Sequence, residues 1–105
     1  MVKNSDIRIL VADDEASVRD SLKSWFEEEG YPVDVAGSGK EALEKLTQQQ
    51  WDIYLLDIKM PGMDGLELQK RIRKVDPNST IILMTAYASV ETAVEAMKQG
   101  AYDYV

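Results

Sequence analysis

Short apolar runs recur along the chain, and segments of helical length separate them. The runs at residues 7–12, 51–56 and 80–84 have the length of strands. The run at 51–56 shows no alternation of polar and apolar positions, which is typical of a strand buried on both faces in a parallel sheet. By contrast, residues 33–36 (Val-Asp-Val-Ala) do alternate, and this pattern favours an edge strand with one wetter face.

The segments between these runs have the spacing and the terminal signals of amphipathic helices. The first spans residues 15–29 and stops at Gly30, and its apolar face consists of Val18, Leu22, Trp25 and Phe26. Three more helices are predicted. One begins after Ser38 and runs to about residue 48, the second covers residues 66–75, and the third covers residues 90–99. Each has a residue that can cap its first turn, namely Ser38, Asp64 and Ser89. Strands that alternate with helices predict an α/β fold, a doubly wound parallel sheet, in one domain over residues 1–105.

Polar residues stand where three of the strands are expected to leave the sheet. Asp13 and Asp14 follow the first strand, Asp57 ends the run at 51–56, and Thr85 follows the run at 80–84. In an open parallel sheet, ligands bind outside the carboxyl ends of the strands, where the strand order reverses. We therefore predict that three carboxylates and one hydroxyl converge there. Each residue also has a plainer interpretation: a solvated loop acid, a pair of helix caps, or the end of a strand.

The three carboxylates indicate a metal site. Two unit charges about 4 Å apart repel by roughly 4 kcal/mol at an effective dielectric constant of about 20, so these groups need a cation or raised pKa values. The chain contains no His and no Cys, and carboxylate oxygens suit Mg²⁺, or Mn²⁺, better than zinc or copper. Such a metal keeps positions open for phosphate oxygens, and one carboxylate can then act as a nucleophile toward a phosphoryl group.

Composition narrows the classes of function. A chain of 105 residues makes one small domain with a single core. The absence of Cys fits a reducing compartment, and no apolar stretch approaches membrane-spanning length, so we expect a cytoplasmic protein. A net charge of −7 argues against direct binding of nucleic acid. Because the chain has no His, His-based catalysis is excluded and any phosphohistidine donor lies on another protein or domain.

Four segments together give the chain a resemblance to the receiver domain of two-component response regulators, over essentially its whole length. They are residues 11–15 (VADDE), 56–65 (LDIKMPGMDG), 84–86 (MTA) and 100–105 (GAYDYV). Residues 85–97 look most like receivers of the NtrC type, which are joined to an ATPase that activates sigma-54 transcription. The resemblance implies the flavodoxin-like strand order 2-1-3-4-5, a histidine kinase as phosphoryl donor, and an attached effector with ATPase and DNA-binding parts.

The resemblance also implies roles at the acidic site. Asp57 would be the phosphoacceptor. Asp14 and Asp57 would ligate Mg²⁺ directly, together with the backbone carbonyl of Lys59, and Asp13 would act through a bound water. Thr85 would bond a phosphoryl oxygen.

Signal output is implied for the other end of the chain. Tyr104 would be the aromatic switch that turns inward on activation, although a strand tyrosine is also commonly half-buried core. The surface of the helix at 90–99 and of the strand after it would transmit the phosphorylation state to partners. The apolar stripe of that helix has an ordinary explanation as its buried side.

The match departs from the family at its carboxyl end. The family's Lys-Pro pair begins two positions beyond Val105, and its fifth helix follows. Without the Lys we expect phosphorylation to be slower or uncoupled from switching. Without the fifth helix an apolar face of the sheet would seek burial, so we predict a homodimer or a dimer that exchanges an element between chains.

Two alternatives stand beside the signalling switch. Phosphatases with an aspartate nucleophile usually place it after the first strand with another Asp two residues on, whereas Asp13 and Asp14 are adjacent and Asp57 follows a later strand. The other alternative is a receiver fold that is inert in phosphotransfer and self-associates. The complete acid set argues against it, and the missing Lys argues for it. We expect a signalling module rather than a metabolic enzyme.

Overall fold

The structure, a computed structural model, describes residues 3–84 and the backbone of residues 103 and 104. Its strands are β1 (Ile9–Ala12), β2 (Val33–Ala36), β3 (Ile53–Asp57), β4 (Thr80–Met84) and β5 (Asp103–Tyr104). Its helices are α1 (Ala16–Glu28), α2 (Gly39–Leu46) and α3 (Gly65–Val75), preceded by a short 3₁₀ helix at Asn4–Asp6. The helix predicted at 90–99 lies outside the described residues.

All strand pairs are parallel, and the strand order is β2-β1-β3-β4-β5. The predicted order and the doubly wound α/β fold are therefore confirmed, and β2 is the edge strand that its alternating pattern indicated. The chain moves outward from β1 to β2 and then returns to the other side of β1 with β3. This reversal places the carboxyl ends of β1 and β3 side by side, since Ala12 pairs with Leu56.

Successive residues of each strand point to opposite faces of the sheet, and the two faces are covered differently. We call one the α2/α3 face. It buries strand residues together with Ala42 of α2 and Leu68 and Ile72 of α3, and its strand members are Leu10, Ala12, Ala36, Tyr54, Leu56, Ile81 and Leu83. We call the other the α1 face. Among the described residues, only Ile9, Val11 and Leu55 are buried there, while Leu22 and Phe26 of α1 pack against them partly exposed.

α1 differs from its predicted role. Its predicted apolar face included Trp25, but that side chain is 56% exposed, and none of the residues of α1 is buried. Leu22 and Phe26 reach the sheet, whereas Trp25 makes an edge-on contact with the ring of Phe26 at a centroid distance of 5.1 Å. Spacing alone selected the right side of the helix, but a residue at the margin of that side stays in solvent.

The ends of the helices follow local backbone signals. Gly30 adopts a positive φ of 90°, its N–H donates to Glu27 O, and the N–H of Tyr31 donates to Phe26 O. This is a Schellman ending, so the predicted stop at Gly30 is confirmed. α2 ends earlier than predicted, at Leu46, because the next two N–H groups turn to carbonyls only three residues back.

Within the described part of the chain, no helix combines the length and the apolar character that crossing a bilayer requires.

Candidate metal and phosphoryl site

Asp13, at the end of β1, is held on three sides. Its N–H donates to Ala36 O of β2 at 3.0 Å, and its carboxylate accepts from the N–H of Glu15 at 2.9 Å. Its carbonyl oxygen accepts from Nη1 of Arg19, on α1, at 2.8 Å. Only 6% of Asp13 is exposed, whereas Asp14 is exposed. The cap of α1 is Glu15, without a side-chain capping bond, so neither aspartate caps the helix.

Asp57 ends β3, and the loop after it returns tightly to the sheet. The N–H of Ile58 donates to Met84 O at 3.0 Å, and the carbonyl of Ile58 accepts from the N–H of Gly65 at 3.0 Å. A Cβ on Gly65 would lie only 2.5 Å from the carbonyl oxygen of Asp57. Glycine is therefore required for α3 to begin this close to the backbone that carries Asp57.

The start of α3 is fixed by the predicted cap. The carboxylate of Asp64 accepts from the N–H of Glu67 at 2.9 Å. The carboxylate of Glu67 accepts from Nε of Arg71 at 3.2 Å. The predicted cap at Asp64 is confirmed, and the cap and Gly65 together set where the loop after Asp57 rejoins the fold.

The described residues bring the three predicted acids together. One carboxylate oxygen each from Asp13, Asp14 and Asp57 lies within 4.8 Å of the other two. The donor set is made of hard oxygens with no nitrogen or sulfur, and two of the three residues are accessible from solvent. These properties fit Mg²⁺ or Mn²⁺ and are poor for zinc or copper.

The acidic cluster changes the ionisation of Asp57. Burial is the largest cause and raises the pKa of Asp57, the N–H of Lys59 lowers it by donating to Oδ1 at 3.1 Å, and the charges of Asp13 and Asp14 raise it further. The result is a pKa of about 6. Without a counter-charge, the carboxylate of Asp57 is thus less stable than an ordinary one, and a cation among the three acids would restore its ionised form.

Space for a reactant lies next to the acids. An open groove of about 550 Å³ runs from Asp14 along the loop after β3, and it is lined by Ile58, Lys59, Met60, Pro61, Asp64 and Leu66. The groove is partly apolar, and its charged lining residues are Asp14, Lys59 and Asp64. Asp14 can therefore be reached from solvent along this side.

For the remaining predicted site residues, Lys59, Thr85 and Tyr104, the described residues do not establish the predicted roles. The backbone N–H of Lys59 contacts Asp57, while its carbonyl as a metal ligand stays a prediction. Thr85 lies outside the described residues. Tyr104 belongs to β5 and pairs with Leu83, but its side chain is outside the description.

Sequence reasoning missed Arg19, and it placed Gly65 only within the 56–65 segment that carries the family resemblance. No local pattern marks Arg19 as a contact of Asp13, because the bond joins a helix to the end of the preceding strand. For Gly65, the adjacent Asp64 cap was a usable signal, since it places the first turn of a helix directly behind the loop.

Comparison with known proteins agrees with this fold and site. The family profile of the response regulator receiver domain matches residues 9–105. The regulatory protein AtoC of Escherichia coli is 46% identical over 98 residues, which cover 93% of this chain and 21% of AtoC. The sporulation initiation phosphotransferase F of Bacillus subtilis is 40% identical over 94 residues, covering 90% of this chain and 76% of that protein.

A solved structure of a response regulator also matches this chain. The response regulator protein TrrA of Thermotoga maritima, crystallised in complex with Mg²⁺ and BeF, has a TM-score of 0.84 and is 43% identical, covering 94% of this chain and 84% of that one. The strand order, the acids at the carboxyl edge of the sheet and these matches together define a signalling domain of the receiver class. The chain belongs to the response regulator receiver family.

The relatives also bear on the subfamily and on length. Regulators of the NtrC type, NtrC itself among them, are among the relatives, so the predicted similarity to that type is confirmed. The chain spans about a fifth of the length of AtoC.

Proposed function

We propose that this chain is a phosphoacceptor switch in which Asp57 receives a phosphoryl group from a histidine kinase. The observation that carries the proposal is the convergence of the carboxylates of Asp13, Asp14 and Asp57 within 4.8 Å, beside an open groove that Asp14 lines. None of the ion pairs between described residues involves these three acids, so keeping them this close is costly to the fold. A cost of this kind is typical of functional sites.

The proposed reaction uses one side chain of this protein as the nucleophile. A carboxylate oxygen of Asp57 attacks phosphorus of the phosphohistidine, a P–O bond forms, and the P–N bond breaks with its electron pair leaving on the imidazole nitrogen, which takes up a proton. Asp14, Asp57 and the carbonyl of Lys59 would hold Mg²⁺, with Asp13 acting through a water. The bound ion supplies charge neutralisation for the transferring oxygens.

The raised pKa of Asp57 supports a requirement for the ion. At a pKa of about 6, a fraction of Asp57 is protonated near neutral pH, and a protonated carboxyl group is not a nucleophile. A cation held by Asp13, Asp14 and Asp57 would lower that pKa and keep the nucleophile ionised, and its charge would offset the repulsion between the carboxylates and an incoming phosphoryl group.

The part of the proposal that concerns signal transmission after phosphorylation is taken from the resemblance to the receiver family. Thr85 would bond a phosphoryl oxygen and Tyr104 would respond to it, so that phosphorylation shifts an equilibrium between two conformations. We propose a cytoplasmic location and an effector with ATPase and DNA-binding parts, joined to this domain as in a transcriptional regulator. Self-association stays a prediction, and the partly exposed apolar residues of the α1 face support it. Sedimentation that finds only monomer at tens of micromolar would contradict it.

The experiment is intact-mass spectrometry after incubation with acetyl phosphate and Mg²⁺. We expect a single phosphate adduct on the wild-type chain, no adduct on Asp57→Asn, and no adduct when EDTA replaces Mg²⁺. A second control, Asp52→Asn, removes an acid at the opposite end of β3 and should leave the adduct unchanged.

Two results would overturn the proposal. An adduct that persists in Asp57→Asn would place the acceptor elsewhere. The other result has two parts: the wild type forms no adduct, and it shows no Mg²⁺ binding that depends on Asp14. It would favour a receiver fold that is inert in phosphotransfer and works through its surfaces.

A further inference from the structure

Among the described hydrogen bonds, Arg19 is the one residue of α1 whose side chain bonds to the turn formed by Asp13 and Asp14. Its Nη1 donates to the carbonyl oxygen of Asp13 at 2.8 Å. Asp13 is the most buried of the three acids and the one that joins the end of β1 to the exposed Asp14. The bond therefore acts on the backbone from which two of the three carboxylates project.

The guanidinium of Arg19 is itself held in place. It lies over Gly37, where a Cβ would come within 3.3 Å of Nη1 and 3.5 Å of Cζ. The N–H of Gly37 donates to the carboxylate of Glu41 at 2.9 Å, so the turn after β2 is fixed from α2. Gly37 leaves the room that the guanidinium occupies, and Glu41 keeps that turn from moving away.

We propose that Arg19 is a positioning residue for metal binding, holding the Asp13–Asp14 turn in the geometry that lets both carboxylates face Asp57. The inference rests on the proposed function and adds a residue to it. The backbone N–H of Asp13 is fixed by Ala36 of β2, and its carboxylate is fixed by the N–H of Glu15. The carbonyl is the remaining polar group of Asp13, and its bond to Arg19 stops the Asp13–Asp14 peptide from rotating.

Arg19 suits this task better than a shorter cation. A guanidinium presents several N–H donors in a rigid plane, whereas the ammonium of Lys is a flexible point charge. Groups that orient metal ligands without touching the metal typically change metal affinity by about 10–100-fold when they are removed. Because Arg19 bonds the carbonyl rather than a carboxylate, we place its effect at the lower end, at about tenfold.

The test measures Mg²⁺ binding by isothermal titration calorimetry and the phosphorylation rate with acetyl phosphate at saturating Mg²⁺. For Arg19→Ala we expect a Kd for Mg²⁺ that is about tenfold higher, with a rate at saturating Mg²⁺ close to wild type. Arg19→Lys should recover part of the lost affinity. Loss of affinity without loss of the saturated rate is a readout that general destabilisation would not produce.

Two further variants keep the test decisive. Lys23→Ala removes the same charge one turn along α1. It should change the Kd by less than about twofold, because the charge of this half-buried residue acts on Asp34 of β2 and not on Asp57. Gly37→Ala pushes the guanidinium by a few tenths of an ångström and should weaken Mg²⁺ binding less than Arg19→Ala does. If Arg19→Ala fails to fold, Gly37→Ala still tests whether the position of the guanidinium affects Mg²⁺ binding.

The outcomes distinguish a failure of the proposed role of Arg19 from a failure of the proposed function. If the wild-type chain binds Mg²⁺ but both Arg19→Ala and Gly37→Ala bind it equally well, the role of Arg19 is overturned and the proposed function stands. If Lys23→Ala weakens binding as much as Arg19→Ala, the effect is one of charge and positioning is again overturned. If the wild type does not bind Mg²⁺ at all, the proposed function fails, and this inference fails with it.

Discussion

The two faces of the sheet use the same strands and similar residues, yet they are buried to different degrees. On the α2/α3 face, strand residues such as Leu10, Leu56 and Leu83 are fully buried. On the α1 face, Val33, Val35 and Ile82 stay partly exposed, and α1 buries none of its own residues. Alternate residues of one strand therefore have different energetic value, and sequence hydrophobicity alone does not reveal which.

The acidic site lies where the better-packed face ends. α3 starts directly behind Asp57, and Gly65 and Asp64 fix that start through backbone contacts. At the end of β1, on the side of α1, the corresponding work is done by the side chain of Arg19. The backbone of Asp57 is thus positioned by close packing, whereas the turn that carries Asp13 and Asp14 is also held by a long side chain from α1, so substitutions on the two sides should differ in kind.

The largest expected effect is a difference between two adjacent leucines of β3. Leu56 is 0% exposed on the α2/α3 face, and Leu55 is 9% exposed on the α1 face. We expect Leu56→Ala to lower the free energy of unfolding by about 3–4 kcal/mol and Leu55→Ala by about 2 kcal/mol, because a less enclosed site loses fewer contacts. Urea unfolding measures both, and equal losses would mean that the two faces are equally well packed.

The next prediction compares two glycines beside the acids. A Cβ at position 65 would lie 2.5 Å from backbone oxygen and 2.8 Å from Cα of Ile58, whereas at position 37 it would meet only the tip of Arg19 at 3.3 Å. Gly65→Ala should cost about 2–3 kcal/mol and abolish phosphorylation, since the backbone of Asp57 must move; Gly37→Ala should cost less than about 1 kcal/mol. Chemical denaturation and the acetyl phosphate assay test this. A stable, active Gly65→Ala protein would refute the close approach of α3.

A smaller effect is expected from removing the charge of Asp57. Its pKa rises from 3.8 to about 6 on folding, so ionisation destabilises the folded protein above pH 6 and has no such effect below pH 3.8, where the group is protonated in both states. Asp57→Asn should therefore raise the free energy of unfolding at pH 7.5 by about 1 kcal/mol, allowing for solvent screening at this half-buried site.

The gain in Asp57→Asn should shrink as the pH falls from 7 to 4, and Mg²⁺ should remove it by stabilising the wild type. Urea unfolding of both proteins at pH 4.5 and 7.5, with and without Mg²⁺, provides the four comparisons. A gain that does not depend on pH would mean that the substitution acts through packing and not through charge.

The smallest effect is expected at Trp25. Because this side chain is 56% exposed, Trp25→Ala should change the free energy of unfolding by no more than about 0.5 kcal/mol. The matched variant Phe26→Ala, whose ring packs against the α1 face and against Tyr31, should cost clearly more. If Trp25→Ala destabilises as strongly as Phe26→Ala, Trp25 is buried in solution and the contrast between the faces is smaller than described.

Much of the fold and the site was predictable from local patterns. The apolar runs located β1, β3 and β4, the alternation of residues 33–36 identified the edge strand, and Asp64 and Gly30 marked helix ends that the structure confirms. The acids at the strand ends were predicted to converge, and they do. These features depend on neighbouring residues and on one general property of parallel sheets.

The amino-acid sequence by itself therefore determined which strands form, their order through the family resemblance, and which acids meet. Only the tertiary structure decided that Trp25 is exposed, that Gly65 lies against the backbone of Asp57, and that Arg19 bonds the carbonyl of Asp13. It also set the pKa of Asp57, which depends on burial and on charges from a different strand. The physical reason is that periodicity, capping and turn chemistry act between near neighbours, whereas burial, close approach and electrostatics depend on distances between segments far apart in the chain.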